Sequence, residues 1–247
     1  MGHLVTISGD RVHKRYEAFD RDEHYRESTG LRLLERYAPG LAPRLIAVAL
    51  DDRPPHLTMA RLPGRPLSVA DLAGPAHSAV YLALDRLYSA VPPAVLADLP
   101  CSLGAAEVML PRVRRMCAKR PPHPAVAQWL DALDPAAVAT VEPVFGRGDH
   151  NLANFLLAGE DVRLVDFEDS GRSDRIMELA QFMEHASAVS LTEADWAPFR
   201  RGLDAPQSAR LADFRRLMAI FWLQLKAGTP LGAVYEQRAL RLIRGRS

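Results

Sequence analysis

Three oxygen-bearing side chains, Asp149, Asn154 and Asp166, flank a predicted hairpin in the second half of the chain. Two short apolar runs, at 155–157 and 162–165, surround a turn that contains a glycine, and this pattern predicts two antiparallel strands. Asp149 precedes the first strand, Asn154 stands at its start, and Asp166 follows the second strand. Because a hairpin brings the outer ends of its two strands to the same edge, we expect the three side chains to lie close together.

The spacing of these side chains is typical of phosphoryl transfer. It is Asp-x-x-x-x-Asn, followed about a dozen residues later by Asp-Phe, as in a catalytic loop and a metal-binding aspartate. The transition state of this reaction spreads negative charge over phosphate oxygens, so the protein must mainly position groups and neutralise charge. On this hypothesis Asp149 takes or orients the proton of an attacking hydroxyl, and Asn154 and Asp166 hold Mg²⁺, which prefers oxygen ligands. The alternative is a polar loop whose Asp and Asn side chains cap turns.

The loop and the segment after the hairpin contain further motif residues. They are Arg147-Gly148-Asp149 before Asn154, then Leu164-Val165-Asp166-Phe167-Glu168, and then Gly171, Asp174 and Glu178-Leu179-Ala180. These motifs resemble those of the aminoglycoside phosphotransferase and choline kinase-like family, in which the loop is His-Gly-Asp-x-x-x-x-Asn. Arg147 replaces the family's histidine and Glu178 replaces an aspartate, which leaves the bracing of the loop open.

The resemblance implies an α+β, protein-kinase-like two-lobe fold. It implies a reduced N-terminal β lobe that binds nucleotide, at residues 1–62, and a mostly helical C-terminal lobe with the catalytic loop and metal site, at residues 63–247. The implied activity is that of an ATP-dependent small-molecule kinase, a phosphotransferase that moves the terminal phosphate of a Mg²⁺–nucleotide to a hydroxyl. Asp149 is then the catalytic residue, and Asn154 and Asp166 are the metal ligands.

Lys14 and Glu27 are the predicted ion pair of the N-terminal lobe. The segment 11–16 alternates as a strand does, and 20–37 is a predicted amphipathic helix with Glu27 on its apolar side. A buried carboxylate needs a partner, and the resemblance assigns Lys14 to the nucleotide phosphates and Glu27 to the pairing of that lysine. Two alternatives remain open: Arg15 in place of Lys14, and Glu23 in place of Glu27.

A second predicted hairpin, at 44–61, ends the N-terminal lobe. It has Pro-Pro at its bend, and Pro63-Gly64 after it breaks regular structure. The segment resembles the family's hinge. This resemblance implies that Met59 lies behind the adenine and that the backbone of Ala60 and Leu62 faces the adenine edge.

The segment before the first predicted strand is too short to form a full nucleotide-covering loop. Only Met1-Gly2-His3 precede the first predicted strand at 4–7, and the turn at 8–10 is the only nearby turn that contains a glycine. The family has a nucleotide-covering loop before this point, so we expect the cover to be missing or much reduced and nucleotide binding to be weak.

Composition excludes several classes of protein. With 31 basic and 30 acidic side chains the formal charge is +1, which indicates neither a nucleic-acid-binding nor a membrane-binding surface. Cys101 and Cys117 are too few for a disulfide scaffold and lack metal-ligand spacing. No apolar run reaches the ~18 residues that span a bilayer, and no signal peptide is evident. We therefore expect a cytoplasmic protein whose partners are a nucleotide and a small-molecule hydroxyl acceptor.

Beyond residue 75 the apolar periodicity predicts mainly helices. They are expected at 75–90, 104–119, 124–133, 175–189, 193–202, 207–226 and 230–244. The helix at 207–226 is the clearest, with an apolar stripe that runs from Leu211 to Leu225 and is typical of core. Thr192 and Asp195 predict a capping box.

Two alternative functions and the identity of the acceptor stay open. The first alternative is a catalytically silent nucleotide-binding or scaffolding relative. The second is a metal-dependent phosphohydrolase, although the sequence lacks the further ligands that a two-metal site gathers. Family members act on several classes of hydroxyl. The candidate acceptor-side groups are Asp169, Asp174, Glu184 and His185, and their acidic bias favours a cationic, for example aminoglycoside-like, acceptor.

Overall fold

Residues 3–245 are described by the computed structural model, and their first elements are a four-stranded antiparallel sheet and one helix. The strand order is β1-β2-β4-β3. The elements are β1 (Leu4–Ser8), β2 (Arg11–Arg15), α1 (Glu23–Tyr37), β3 (Leu45–Ala49) and β4 (His56–Ala60). Met1 and Gly2, on which the prediction of a reduced cover partly depends, lie outside the described residues, as do Arg246 and Ser247.

Sequence periodicity explains which faces of β2 and α1 are buried. Lys14 is buried and Arg15 is exposed, as alternation along a strand requires. Glu27 lies on the buried face of α1. This helix begins at Glu23 and not at residue 20 as predicted, because Asp22 adopts a left-handed backbone conformation with φ 61° that a right-handed helix does not contain.

Two smaller antiparallel sheets contain the strands that flank the predicted catalytic loop. Their orders are β5-β7-β8 and β6-β9. The strands are β5 (Arg65–Pro66), β6 (Pro143–Gly146), β7 (Phe155–Ala158), β8 (Asp161–Leu164) and β9 (Gly171–Asp174). Strands β7 and β8 pair with Phe155 opposite Leu164, which confirms the predicted hairpin. The predicted hairpin at 44–61 is likewise confirmed by the pairing of β3 with β4.

The rest of the chain is mostly helical, as predicted. The helices are α2 (Val69–Ala73), α3 (Ala76–Ala90), α4 (Pro93–Ala97), α5 (Ala106–Lys119), α6 (Pro124–Ala132), α7 (Arg175–Glu184), α8 (Glu193–Arg200), α9 (Ala205–Leu225) and α10 (Pro230–Ile243). Helix α7 is shorter than the prediction of 175–189. It ends because His185 leaves the helical conformation, with ψ 142°, and a 3₁₀ turn at Ala186–Ala188 follows.

Helix α9 lies at the centre of the helical part and packs against α5, α7 and α10. Its stripe is buried as predicted over Phe214, Leu217 and Trp222, but Leu225, at the end of the helix, is 45% exposed. The predicted capping box of Thr192 and Asp195 begins α8. No helix in the described range is both long and apolar enough to cross a membrane. The division into lobes at residue 62 stays a prediction.

Candidate active site

Asp149 lies in the loop between β6 and β7, where three donors hold its carboxylate. Oδ1 is 3.1 Å from His185 Nε2 and accepts from the Asn151 amide at 3.1 Å, and Oδ2 accepts from Asn154 Nδ2 at 3.0 Å. Burial would raise the pKa of Asp149, but the hydrogen bond and charge of His185, with the charge of Arg147 and the Asn151 amide, lower it to about 2. The carboxylate is therefore ionised at neutral pH and can accept a hydrogen bond from a hydroxyl group.

The loop is braced by Gly148 and by Glu178 of α7. Gly148 has φ +77°, and a Cβ atom at this position would clash with the carbonyl oxygen of Asp169. The fully buried Glu178 accepts from the Arg147 amide at 2.9 Å and lies 3.3 Å from His150 Nε2. Burial raises the pKa of Glu178. The glutamate that stands in place of the family's aspartate therefore holds the backbone of the loop.

Arg147, which stands in place of the family's histidine, is fully buried beneath the loop. Its Nη2 donates to the carbonyl of Val165 at 2.8 Å, and its guanidinium carbon lies 4.6 Å and 5.5 Å from the ring centroids of Phe155 and Phe167. Within the described residues, its Nε and Nη1 have no hydrogen-bond partner, and burial lowers its pKa. Because Val165 immediately precedes Asp166, this arginine connects the predicted catalytic loop to the predicted metal-ligand segment.

Asp166 follows β8 in a left-handed backbone conformation with φ 67°. This conformation is unfavourable for a residue with a Cβ atom, and such residues cluster at functional sites. Its Oδ2 lies 3.5 Å from Asn154 Nδ2, which also donates to Asp149. The structure thus brings together the three side chains that the hairpin pattern predicts to be neighbours.

Lys14 extends from β2 into a cluster of three carboxylates. Its Nζ lies 2.6 Å from Glu27 Oε2, 2.5 Å from Asp166 Oδ1 and 2.6 Å from Glu168 Oε2. Tyr16 OH also donates to Glu27, at 2.5 Å. Although burial opposes the charge, the carboxylates, Glu27 foremost, raise the pKa of Lys14. Burial raises the pKa of Glu168 to about 7, with Lys14 opposing.

The two alternatives for this ion pair have other partners. Glu23 pairs with Arg21 at 2.9 Å, and the exposed Arg15 pairs with Glu17 at 2.7 Å. Both contacts lie outside the Lys14 cluster. Of the two glutamates on the buried face of α1, it is therefore Glu27 that contacts Lys14.

The donor atoms around Asp166 fit Mg²⁺. Carboxylate oxygens of Glu27, Asp166 and Glu168 lie within 4.8 Å of one another, and Asn154 directs its Nδ2 toward Asp166. The three carboxylates offer oxygen, which is the ligand that Mg²⁺ prefers. Asn154 would add its amide oxygen only after the amide rotates. The residues present therefore fit the metal that the sequence predicts.

The predicted adenine-facing residues lie at the end of β4. Met59 is buried between Val12 of β2 and Leu45 of β3. The amide of Ala60 donates to the carbonyl of Arg44 at 2.8 Å, so only its carbonyl is open to a ligand in the predicted manner. In the described part of the chain, the amide of Leu62 makes no backbone or side-chain hydrogen bond.

A cleft of ≈ 160 Å³ opens beside Asp149, between α5, α7 and α9. Of the predicted acceptor-side groups, Asp169 and His185 line it. Asp174 and Glu184 do not, contrary to the prediction. Asp174 caps α7 and pairs with Arg210, while Glu184 is buried against Arg215 and Arg238.

Among the residues that line this cleft, Arg21, Arg112 and Trp222 were not predicted as site residues from the sequence. They come from the segment before α1, from α5 and from α9, which are far apart in the chain. The aromatic stripe of α9 contains Trp222, but periodicity alone identifies this residue as core. Burial of Arg112 on the otherwise apolar side of α5 is visible only in the structure.

No protein-family model and no curated protein matches the chain. Several solved structures do match. A choline/ethanolamine kinase family protein from Mesorhizobium loti matches with 17% identity over 98% of this chain and 84% of its own, with a TM-score of 0.71. The choline kinase LicA from Streptococcus pneumoniae matches with 14% identity over 98% and 89% of the two chains, with a TM-score of 0.68. The ternary complex of streptomycin, ATP and APH(2″)-IIa matches with 10% identity over 98% and 93%, with a TM-score of 0.65.

These matches establish the fold. The chain has the kinase-like α+β fold of the choline kinases and aminoglycoside phosphotransferases, with small antiparallel sheets and a mostly helical remainder. The fold that the sequence motifs imply is confirmed.

Proposed function

We propose that the protein is an ATP-dependent kinase that phosphorylates a hydroxyl of a small molecule. The observation that carries the proposal is the convergence of Asp149, Asn154, Asp166 and Lys14 from separate elements on one site. A carboxylate that can orient a hydroxyl, two oxygen ligands for a cation and an ammonium for phosphates are the parts that phosphoryl transfer needs. The fold is shared with kinases of small molecules, one of which has been solved with ATP.

In the proposed reaction Asp149 orients the acceptor hydroxyl. The hydroxyl oxygen bonds to the transferred phosphorus, and the bond from that phosphorus to the bridging oxygen of ATP breaks, so the electron pair leaves with ADP. The hydroxyl proton passes to Asp149 and then to solvent. Since the pKa of this carboxylate is about 2, it is a weak base and takes the proton only as the new bond forms.

The other groups act on the donor. Lys14 exchanges its contacts with Asp166 and Glu168 for phosphate oxygens, while Glu27 keeps it in place. Asn154 and Asp166 would hold Mg²⁺, which neutralises phosphate charge when bound. Met59 packs behind the adenine, and the Ala60 carbonyl and Leu62 amide bind its edge.

This assignment makes residues 1–62 the nucleotide-binding lobe and residues 63–247 the lobe that contains the catalytic loop and the metal site. The use of ATP implies the cytoplasm as location. The cationic acceptor favoured by the sequence is not retained, because two of the acidic groups that suggested it, Asp174 and Glu184, are paired elsewhere.

The test is Mg²⁺-dependent turnover of ATP with a panel of hydroxylated acceptors, with mass spectrometry of the products. We expect ADP release that depends on an acceptor, and an acceptor that gains one phosphoryl group. Tight Mg²⁺–ATP binding without transfer to any acceptor would indicate the silent relative instead. Release of inorganic phosphate without a phosphorylated acceptor would indicate a phosphohydrolase.

A further inference from the structure

The cleft beside Asp149 contains an arginine side chain without a partner. Arg112 of α5 is half-buried, and among residues 3–245 no group forms a hydrogen bond or ion pair with its guanidinium. Its guanidinium carbon lies 5.0 Å from the ring centroid of Phe221, which also lines the cleft. The face of the Phe221 ring attracts the Arg112 cation and keeps it in the cleft. The ring cannot accept the hydrogen bonds that the N–H groups of the guanidinium offer.

The other basic side chains of the cleft have ionic partners. His185 lies against Asp149, and Arg21 lies 3.6 Å from Asp169 and also pairs with Glu23 on α1. The carboxylate of Asp169 accepts no side-chain hydrogen bond, and its buried Oδ1 has no partner among the described residues. Among the basic side chains that line the described cleft, Arg112 is therefore the one without an ionic partner.

A second donor favours an anion at this position. Burial lowers the pKa of Arg112, and the neighbouring Arg21 lowers it further while Asp169 opposes. Trp222, which lines the same cleft, has a buried indole N–H without a partner among the described residues. An acceptor with an acidic group would satisfy donors that a cationic acceptor leaves unpaired.

The size of the cleft and its two carboxylates limit the anion. A volume of ≈ 160 Å³ is below the roughly 300–1,000 Å³ typical of sites for drug-sized ligands, so the acceptor is small. Asp149 and Asp169 face the same space and would repel a dianionic phosphate group more than a monoanionic carboxylate.

On the premise of the proposed function, we propose that the acceptor is a small hydroxylated carboxylic acid. Its carboxylate binds Arg112, and its hydroxyl faces Asp149. In the transfer, a P–O bond forms at the acceptor hydroxyl, and the bond from the transferred phosphorus to the bridging oxygen of ATP breaks. The carboxylate of the acceptor forms no covalent bond.

The experiment compares short-chain hydroxycarboxylates, with γ-hydroxybutyrate as the reference, against choline and a neutral diol. The full chain is assayed for phosphorylated product with Mg²⁺–ATP, and binding of each probe is measured by calorimetry without nucleotide. Arg112→Gln removes the charge and keeps most of the side-chain length. Arg115→Gln, an exposed arginine on the same helix, is the matched control, and Arg112→Lys tests rescue by charge alone.

We expect hydroxycarboxylates to have the highest kcat/KM. Arg112→Gln should lower this value roughly 10- to 100-fold, mainly through KM, and weaken calorimetric binding by a similar factor. Arg115→Gln should leave both unchanged, Arg112→Lys should recover part of the loss, and the affinity for Mg²⁺–ATP should be the same in all variants. A preference for choline, or equal kinetics for Arg112→Gln and the parent, would overturn the inference and leave the proposed function standing.

The two proposals fail in different ways. If no probe is phosphorylated but hydroxycarboxylates bind and Arg112→Gln abolishes that binding, the proposed function fails and the carboxylate site stands. If neither hydroxycarboxylate binding nor transfer to a hydroxycarboxylate is found, the carboxylate site is refuted.

Discussion

His185 Nε2 lies 3.1 Å from Asp149 Oδ1, so the residue that ends α7 also holds the carboxylate of the proposed catalytic loop. The contact depends on the early end of the helix: His185 is extended, and its Nδ1 lies 2.7 Å from the hydroxyl of Ser187. The pKa of Asp149 is thus lowered by a residue at the end of a helix that lies after it in the chain.

Asp149→Asn should nearly abolish transfer. The amide cannot accept a proton, and general-base contributions are roughly 100- to 10,000-fold in rate. Asparagine has the same shape but can accept at only one of the two positions where Asp149 accepts. We therefore expect the fold and the affinity for Mg²⁺–ATP to be kept, with a lower free energy of unfolding than that of the parent. Steady-state kinetics, denaturant unfolding and calorimetry provide the three values, and a parental kcat would remove Asp149 from the mechanism.

His185→Gln should move the acid limb of the pH–kcat profile to higher pH. The hydrogen bond and charge of His185 are among the main causes that keep the pKa of Asp149 at about 2, so their loss raises this pKa. The carboxylate is then protonated, and activity lost, at a higher pH as the solution is acidified. His56→Gln on β4, far from Asp149 in the sequence and largely exposed, is the control. An unmoved acid limb would show that His185 does not govern this carboxylate.

Asp166→Ala should remove most of the Mg²⁺-dependent part of nucleotide affinity, and Asn154→Ala should remove less. An anionic oxygen contributes more to a divalent cation than a neutral amide oxygen does. Calorimetric titration of ATP with and without Mg²⁺ isolates this part for each variant. Equal Mg²⁺–ATP affinity in Asp166→Ala and the parent would place the metal elsewhere.

Asp169→Asn should stabilise the protein above about pH 6. Burial, opposed by Arg21, raises the pKa of Asp169 from 3.8 to about 6. Because the folded-state pKa is the higher one, its stabilising contribution is present below about pH 4 and is lost as the pH rises through 6. A shift of about two pKa units corresponds to roughly 3 kcal/mol at most.

The measurement for Asp169 is the free energy of unfolding at about pH 4 and about pH 8. The difference between Asp169→Asn and the parent should grow in favour of the variant toward the higher pH. Asp161→Asn, at an exposed position of β8, should show no such trend. A difference that is independent of pH would mean that Asp169 does not titrate as described.

Local patterns were sufficient to predict that the side chains around the hairpin are neighbours. The hairpin register of β7 and β8 places Asp149, Asn154 and Asp166 together, and this depends on spacing along the chain, which the sequence contains directly. For the ion pair, periodicity placed Lys14 and Glu27 on buried faces, but the choice of Glu27 over Glu23, which is also buried, came from the family resemblance.

Boundaries and the acceptor cleft could not be predicted in this way. The start of α1 is set by the left-handed conformation of Asp22 and the end of α7 by the extended conformation of His185, and neither has a strong residue signal. Arg112 and Trp222 line one cleft only because α5 packs on α9, so which groups surround them is a property of that packing. The acidic residues in the sequence therefore suggested a cationic acceptor, while the packing leaves Arg112 without an ionic partner among the described residues.

On the proposed function, the cluster around Lys14 would link the binding of Mg²⁺ to that of ATP. With one ammonium among three carboxylates, the site would repel free phosphates, and Mg²⁺ alone would compete with Lys14 for the oxygens of Asp166 and Glu168. With both ligands present, the carboxylates would hold the cation and Lys14 would hold the phosphates, so each ligand would remove the obstacle to the other. The two binding equilibria would then be positively cooperative, and thermodynamic reciprocity requires that Mg²⁺ raise the affinity for ATP by the same factor by which ATP raises the affinity for Mg²⁺.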